Sequence, residues 1–238
     1  MLITPGHVLT AAHCVQKEPK DIIVLFDNVE TKQYSYPAKR LHFAPDVLKP
    51  RAIQRFETGI SDMAIIELEI PFYQTQPICL PDLTDKYMNV NTNAIFNGYS
   101  SSRGFHVDRI EVHDGKSCNA DFWVNWESQN ESYCQNLEEY WNSYHDFKAT
   151  LNQIPFQSFP SLCSGHNNSN ALTCGDGGGP VMMQSEGGYW VVIGVTKDFS
   201  EQKRRADLCQ PDVLELHYTR YQAVAPTLPW IRSTIGEI

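Results

Sequence analysis

The fold of this chain is decided by the stretch VLTAAHC at residues 8–14, in which His13 follows a short apolar run and precedes a cysteine. Two other segments belong with it. The sequence SDMAII at residues 61–66 places Asp62 directly before an apolar run, and CGDGGGP at residues 174–180 is a glycine-rich loop before another apolar run. A single histidine or aspartate is most often structural. In this order and with these flanks, the three segments are far more specific.

The sequence around these segments reads as short strands separated by turns. Strand-like runs lie at residues 21–27, 63–70, 93–97, 180–184 and 189–196, bounded by Pro, Asn, Asp and Gly. Runs of this spacing without long helical periodicity predict an all-β barrel or sandwich. Near the end of the chain Trp230, Ile231 and Ile235 sit at helical spacing, which predicts a short closing helix.

The composition is that of an ordinary globular protein, with 42% hydrophobic and 20% charged residues, and it excludes a disordered or collagen-like chain. The 28 acidic residues against 19 basic ones give a formal net charge of -9. A protein that binds nucleic acid or heparin usually has the opposite balance, so we expect no nucleic-acid partner. No apolar run approaches the length of a membrane span, and we expect no membrane partner either.

The seven cysteines favour disulfide bonds over a metal site, because there is no Cys-x-x-Cys pair and no His and Cys at zinc spacing. We therefore expect no metal and no cofactor. Glycosylation sequons at Asn130 and Asn167 agree with an oxidising, extracellular location. The residues after Met1 do not match that location, because they contain neither a basic region nor the apolar stretch of a signal peptide.

The three segments that carry His13, Asp62 and the glycine-rich loop resemble those of the trypsin-like serine proteases, the chymotrypsin-fold family. The resemblance runs through most of the chain. Sequences similar to the family's inter-barrel linker, to a Gly-Trp turn and to the stretch before the terminal helix lie at residues 77–81, 97–99 and 218–220.

This resemblance implies an all-β fold of two six-stranded antiparallel β-barrels with a short C-terminal helix. Residues 1–95 would form the first barrel, without its N-terminal strands. Residues 96–238 would form the second, with a partly helical insertion at about 119–162.

The resemblance also implies roles for the three segments. His13 stands at the general base, Asp62 orients its ring, and a serine nucleophile belongs at the position of Gly177. Glycine has no side-chain oxygen for His13 to activate, so no acyl-enzyme can form there. Loss of this nucleophile costs about 10⁶ in turnover, or roughly 8 kcal/mol. The sequence therefore predicts a member of a protease family that is not a catalyst.

Other site positions depart from the family pattern as well. The backbone of Gly175 and Gly177 would form the oxyanion hole, with one residue missing before Gly175. Asp176 normally receives an N-terminal ammonium that cleavage creates, and this chain starts just before the His13 strand. Asp176 must therefore find another partner, face solvent or become protonated. In the specificity pocket, Leu172 replaces the aspartate that selects Lys or Arg, and Thr196 begins the edge that pairs with substrate backbone.

The positions of several cysteines also match those of disulfide-bonded cysteines in the family. The resemblance implies two disulfides, Cys118–Cys163 and Cys174–Cys209. It leaves the pairing of Cys14, Cys79 and Cys134 open, because no cysteine precedes Cys14 and Cys134 has no family counterpart.

Residues 119–162 are unusually aromatic and acidic. They hold ten of the 27 aromatic residues and six acidic residues against one lysine. One interpretation is a surface that binds a basic or mixed-charge protein, and the other is a private core in which these rings pack inward. The candidate anchors are Trp123, Trp126, Tyr140 and Trp141.

The leading hypothesis for function is a secreted, catalytically inactive domain, a pseudoprotease, that binds or regulates a protein or peptide as a monomer. One alternative is an active serine endopeptidase in a full-length, serine-containing form, of which this chain is a truncated or altered version. Another is a fragment for which Met1 is an internal start.

Overall fold

The computed structural model describes residues 1–27, 33–45, 62–82, 92–100, 104–114, 161–165, 175–201 and 216–236. Within these ranges the chain forms eleven β-strands: β1 (Leu2–Thr4), β2 (His7–Thr10), β3 (Ile23–Asp27), β4 (Gln33–Phe43), β5 (Ala64–Leu68), β6 (Thr92–Ser100), β7 (Gly104–Asp114), β8 (Ser161–Gly165), β9 (Pro180–Gln184), β10 (Trp190–Glu201) and β11 (Leu216–Ala223). Short 3-10 helices occupy Ala12–Val15, Pro19–Asp21 and Ala225–Thr227, and helix α1 spans Leu228–Ile235.

The first sheet has the strand order β1-β2-β5-β4-β3 and is open within the described part of the chain. Its strands pair antiparallel, and Leu9 of β2 lies opposite Ile65 of β5. Val8 and Ile66 belong to the core of this sheet, and Phe26 stacks on Phe72 with ring centroids 4.1 Å apart. The alternation of side chains along each strand thus gives this sheet a core of its own.

The second sheet closes into a barrel in the order β10-β11-β8-β7-β6-β9. Closure pairs every strand with two neighbours and leaves no exposed backbone edge. The barrel interior holds Phe96, Val181, Ile193 and Tyr221, all of which are buried. The glycine-rich loop lies just before β9, so this closed barrel positions it.

A third core lies where the two sheets meet, and α1 packs into it. Leu9 and Met63 come from the first sheet side, Val192 comes from β10, and Ile231 comes from α1. The helix ends at Gly236, whose φ of 80° is left-handed and whose N–H bonds back to the carbonyl of Arg232. This core fixes the ends of β2 and β5 against the barrel.

These elements confirm the predicted all-β fold with a short C-terminal helix. The second barrel is closed and six-stranded as predicted, and the first, predicted as a six-stranded barrel without its N-terminal strands, is a five-stranded half-barrel within the described residues. The last strand of the predicted series is longer than expected, because β10 runs from Trp190 to Glu201 rather than over residues 189–196. Residues 97–99 are not a turn: β6 continues through them, with Gly98 paired to His106. The division at residue 95 stays a prediction, and the expected partly helical insertion at 119–162 lies almost wholly outside the described residues.

No helix in the part of the chain that the structure describes is long and apolar enough to cross a membrane.

Candidate active site

The pairing of two strands brings His13 and Asp62 together. His13 lies in the 3-10 helix that follows β2, and Asp62 comes just before β5, with Thr10 opposite Ala64 in the register. One strand therefore ends where its antiparallel neighbour begins. The Nδ1–H of His13 donates to Oδ2 of Asp62 at 2.7 Å, and the backbone N–H of His13 donates to Oδ1 at 2.9 Å.

The two groups form a charged pair. The hydrogen bond that His13 donates to Asp62, and then its bond with Cys14, raises the pKa of His13 to about 10. Burial alone would raise the pKa of Asp62, but the bonds from the His13 side chain and backbone outweigh it and hold that pKa below its usual value. The His13 side chain is 43% exposed, so solvent screens much of this attraction.

The imidazole of His13 fills the space that a nucleophile would need. A Cβ atom added at Gly177 would lie 2.6 Å from Nε2 of His13, closer than real Cβ contacts allow, and 3.2 Å from its Cε1, which is a tight contact. The ring is held there by the bond from its Nδ1–H to Asp62, and the backbone N–H of His13 donates a second bond to the same carboxylate. The site therefore has a histidine and an orienting carboxylate without a side chain between His13 and the glycine loop.

The glycine loop is bonded to β10 through Thr196. The N–H of Gly178 donates to the carbonyl of Thr196 at 2.9 Å, while the N–H and the hydroxyl of Thr196 both donate to the carbonyl of Gly179, at 2.9 and 3.0 Å. Thr196 is buried, and its polar groups hold the loop. Gly178 has a φ of 78°, a conformation that favours glycine, and its Cα faces Thr10.

Asp176 is buried, with 1% of its surface exposed, and His106 lies beside it. Nε2 of His106 is 3.3 Å from Oδ1 of Asp176 and 3.7 Å from Oδ2 of Asp108, while Nδ1–H donates to the carbonyl of Gly104 at 3.0 Å. Opposite His106 in the ladder is Gly98, whose missing side chain leaves room for the Asp176 carboxylate. Of the three outcomes open to Asp176, its burial excludes exposure to solvent, and His106 lies within ion-pair distance of its carboxylate.

Sequence reasoning missed His106, although β7 carries a signal for it. Ile110 is buried in the barrel, and counting back by two along a strand places His106 on the same face. The exposed fractions fit this alternation, because Phe105 is 69% exposed and Val107 is 54% exposed. An inverted pattern, with apolar residues outside and a histidine inside, marks a buried polar group that needs a partner.

Several predicted positions lie outside the described residues, and for them the structure gives no geometry: Leu172, Cys118, Cys134, Cys174, Cys209, Asn130 and Asn167. Cys163, in β8, is disulfide-bonded, and the proposed pairing with Cys118 stays a prediction because the partner is outside the described ranges. Among the described cysteines, Cys14 and Cys79 are free and exposed. The oxyanion-hole roles of Gly175 and Gly177 also stay predictions.

A cleft of about 570 Å³ runs past this site. The glycine loop lines it, together with apolar side chains from both sheets such as Leu25, Phe26 and Tyr99. The arrangement can hold a proton on His13 and admit a ligand from solvent. It offers no side-chain oxygen at position 177 for covalent chemistry.

The family model of trypsin matches residues 1–143, more than half of the chain. The chain is similar to atrial natriuretic peptide-converting enzyme of Mus musculus, with 23% identity over 201 residues that cover 82% of this chain and 16% of that protein. The same enzyme of Homo sapiens is 20% identical over 201 residues, covering 82% and 17%. The chain thus spans about a sixth of the length of these curated relatives.

A solved structure, that of the scabies mite inactivated protease paralogue S-I1, superposes with a TM-score of 0.61. It shares 18% sequence identity and covers 100% of this chain and 87% of the mite chain. At that identity the likeness shows the fold.

Proposed function

The chain belongs to the trypsin family, and from that premise we propose that it is a catalytically inactive member, a pseudoprotease, that acts outside the cell as a binding or regulatory protein. One observation carries the proposal. Where the family's serine belongs there is Gly177, and Nε2 of His13 lies within 2.6 Å of the place a Cβ would take.

Energetics support the loss of activity. Without a nucleophile at residue 177, His13 has no oxygen to deprotonate and no acyl intermediate can form. Removing one member of such a unit costs about 10⁶ in turnover, or roughly 8 kcal/mol of transition-state stabilisation. Any residual hydrolysis would come only from substrate binding and from electrostatic stabilisation of the transition state.

The surroundings of the site support a loss that one substitution cannot repair. A serine at 177 needs the His13 ring, which is bonded to Asp62 through Nδ1, to shift away from the new Cβ. Thr196 begins the edge that the resemblance assigns to substrate backbone, and its carbonyl accepts a bond from Gly178. These two features argue against the alternative of an active endopeptidase altered only at residue 177.

The extracellular location and the partner rest on the sequence. Seven cysteines and the disulfide-bonded state of Cys163 support an oxidising compartment. The partner we propose is a protein or peptide held by the aromatic and acidic insertion at 119–162, with the domain a monomer. Replacing residues 121–160 by a short linker should leave a folded domain that loses its partner in pull-downs. Unfolding, or unchanged capture, would argue for a private core instead.

Fluorophosphonate labelling tests the proposed inactivity directly. These probes react with an activated serine oxygen, so the purified chain should stay unlabelled under conditions that label an active trypsin-like protease stoichiometrically. Labelling of the chain that disappears in the His13→Ala variant would contradict the proposal, because it would reveal a serine nucleophile that His13 activates.

A further inference from the structure

The imidazole of His106 is anchored inside the second barrel in a way that fixes which of its nitrogens faces the neighbouring acids. Its Nδ1 lies 3.0 Å from the carbonyl oxygen of Gly104. A carbonyl oxygen can only accept a hydrogen bond, so Nδ1 carries a proton. Nε2 lies 3.3 Å from Oδ1 of Asp176 and 3.7 Å from Oδ2 of Asp108. A neutral ring would therefore turn the lone pair of Nε2 towards two carboxyl groups.

The contact between His106 and Asp176 depends on charge. The side chain of His106 is 10% exposed and that of Asp176 is 1% exposed. Nε2 of His106 is buried and makes no hydrogen bond to the described residues. A contact at ion-pair distance without hydrogen-bond geometry is held by Coulomb attraction, because that attraction needs no particular angle. The attraction therefore exists only while the ring carries a proton on both nitrogens.

The groups that face the ring come from four elements. Asp176 belongs to the glycine loop, Asp108 to β7 itself, and Tyr221 to β11. Burial raises the pKa of the Tyr221 phenol well above its usual value, and the charges of Asp108 and Asp176 also raise it. From β6, the ring of Phe96 lies with its centroid 5.8 Å from that of the imidazole. A proton on His106 offsets the negative charge of the two carboxylates, which are costly to bury without a cation.

Asp176 joins this cluster to the backbone of the glycine loop. Gly98 lies opposite His106 in the ladder, and a Cβ atom at Gly98 would collide with Oδ1 of Asp176. The carbonyl of Asp176 accepts a hydrogen bond from the N–H of Gly179 at 3.1 Å. The carboxylate and the turn that it shares with residues 175–180 therefore depend on the same residue, and a displacement of Asp176 changes the loop.

We infer that His106, Asp108 and Asp176 form a buried proton site that acts as a pH-sensitive switch for the glycine loop. With the proton on Nε2, the imidazolium attracts Asp176 and holds the loop against the barrel. When this proton leaves for solvent, the lone pair of Nε2 repels the same carboxylate and the loop is released.

The sign of the pH dependence follows from the proton count. The held form of the loop binds one proton more than the released form, so the loop is held at lower pH and released as pH rises. Histidine suits this role because its charge ordinarily changes between pH 5 and 8. The switch goes beyond the proposed function, since it concerns the shape of the loop and not catalysis.

An NMR titration of the full, ¹⁵N-labelled chain from pH 5 to 8.5 tests the inference. The ring ¹⁵N shifts of His106 report which nitrogens are protonated, and amide exchange at Gly178 and Gly179 reports whether the loop is held. Both ring nitrogens should be protonated at pH 5, and Nε2 should lose its proton as pH rises. Over the same range the protection of the two amides, corrected for intrinsic exchange, should fall at least about tenfold. His13 keeps its charge in this range, because its bond to Asp62 raises its pKa to about 10.

His106→Gln and His113→Gln are matched variants on β7. Glutamine at 106 does not titrate, so the loop protection should no longer change between pH 5 and 8.5. Side chains alternate along the strand, which places His113 on the face opposite His106. His113→Gln should therefore keep the response of the unaltered chain.

Three results in the unaltered chain would overturn the switch: an unprotonated Nε2 at pH 5, a ring that keeps both protons to pH 8.5, or loop amides that do not follow the ring. A loop response that persists in His106→Gln would overturn it as well. Far-UV circular dichroism reports whether that variant is folded. If it is not, Asp108→Asn takes its place, and an unchanged ring titration in that variant would count against the shared proton site.

Discussion

The His13–Asp62 pair and the glycine loop at residues 175–180 lie side by side in the candidate active site but are held in different ways. The pair sits at the joined ends of β2 and β5, so the register that builds the first sheet also fixes its distance of 2.7 Å. The loop is held by its hydrogen bonds to Thr196, and the imidazole of His106 lies 3.3 Å from the carboxylate of Asp176. Gly177 takes part in none of these contacts. The comparison teaches that the nucleophile is the part of the site that the fold does not need.

The largest expected effect is at His106, which lies beside the buried Asp176 of the glycine loop and makes no contact of this kind with the His13–Asp62 pair. His106→Ala removes the imidazole that lies 3.3 Å from the buried Asp176 carboxylate, and we expect the free energy of unfolding to fall by about 3 kcal/mol. Urea denaturation measures it. Phe105→Ala on the same strand is the matched control, because Phe105 is 69% exposed and should cost no more than about 0.5 kcal/mol. Equal small losses for both variants would remove His106 from its assigned role.

The next largest loss of stability is expected in the core where the two sheets and α1 meet, next to the His13–Asp62 pair. Leu9 is fully buried where the two sheets and α1 meet, so Leu9→Ala should lower the free energy of unfolding by about 3 kcal/mol through lost burial and a cavity. Leu25→Ala is the control, since Leu25 is 56% exposed. A loss below about 1 kcal/mol at Leu9 would mean that this core does not hold the end of β2 in place.

How much of this could be predicted from the sequence depends on whether local sequence or strand register decides the feature. His13, Asp62 and the closing helix were predictable, because each is marked by residues close together in the chain. The partner of Asp176 was not, since it depends on Gly98 facing His106 across β6 and β7. The longer β6 has the same origin, because its pairing with β7 continues through the expected turn at 97–99. The assignment of Thr196 to the specificity pocket stays a prediction, whereas its hydrogen bonds to the loop follow from the pairing of Val195 with Pro180.

The smallest expected effect is the pH dependence of stability that comes from the charges of His13 and Asp62. The folded-state pKa of His13 is raised to about 10, so its contribution to stability is fully present below an ordinary histidine pKa of about 6.5 and is lost as pH rises towards 10. The pKa of Asp62 is lowered, so its contribution is lost as pH falls below about 4. Because His13 is 43% exposed, the pair should contribute about 1 kcal/mol or less.

Stability against pH for the unaltered chain and Asp62→Asn measures this term, and an NMR titration of His13 gives its pKa directly. The difference between the two proteins should shrink on both sides of the neutral range. A His13 pKa near 6.5 in the unaltered chain would contradict the charged pair.

The most direct test of the central claim is the turnover of Gly177→Ser on peptide ester and amide substrates, with Gly6→Ser as the control because nothing lies within 4 Å of a Cβ there. The account predicts that Gly177→Ser remains far below family-level activity and close to Gly6→Ser. The reason is that the new Cβ meets Nε2 of His13 at 2.6 Å and the Thr196 carbonyl is already bonded to the loop. Full protease turnover from this single substitution, abolished by His13→Ala, would contradict it.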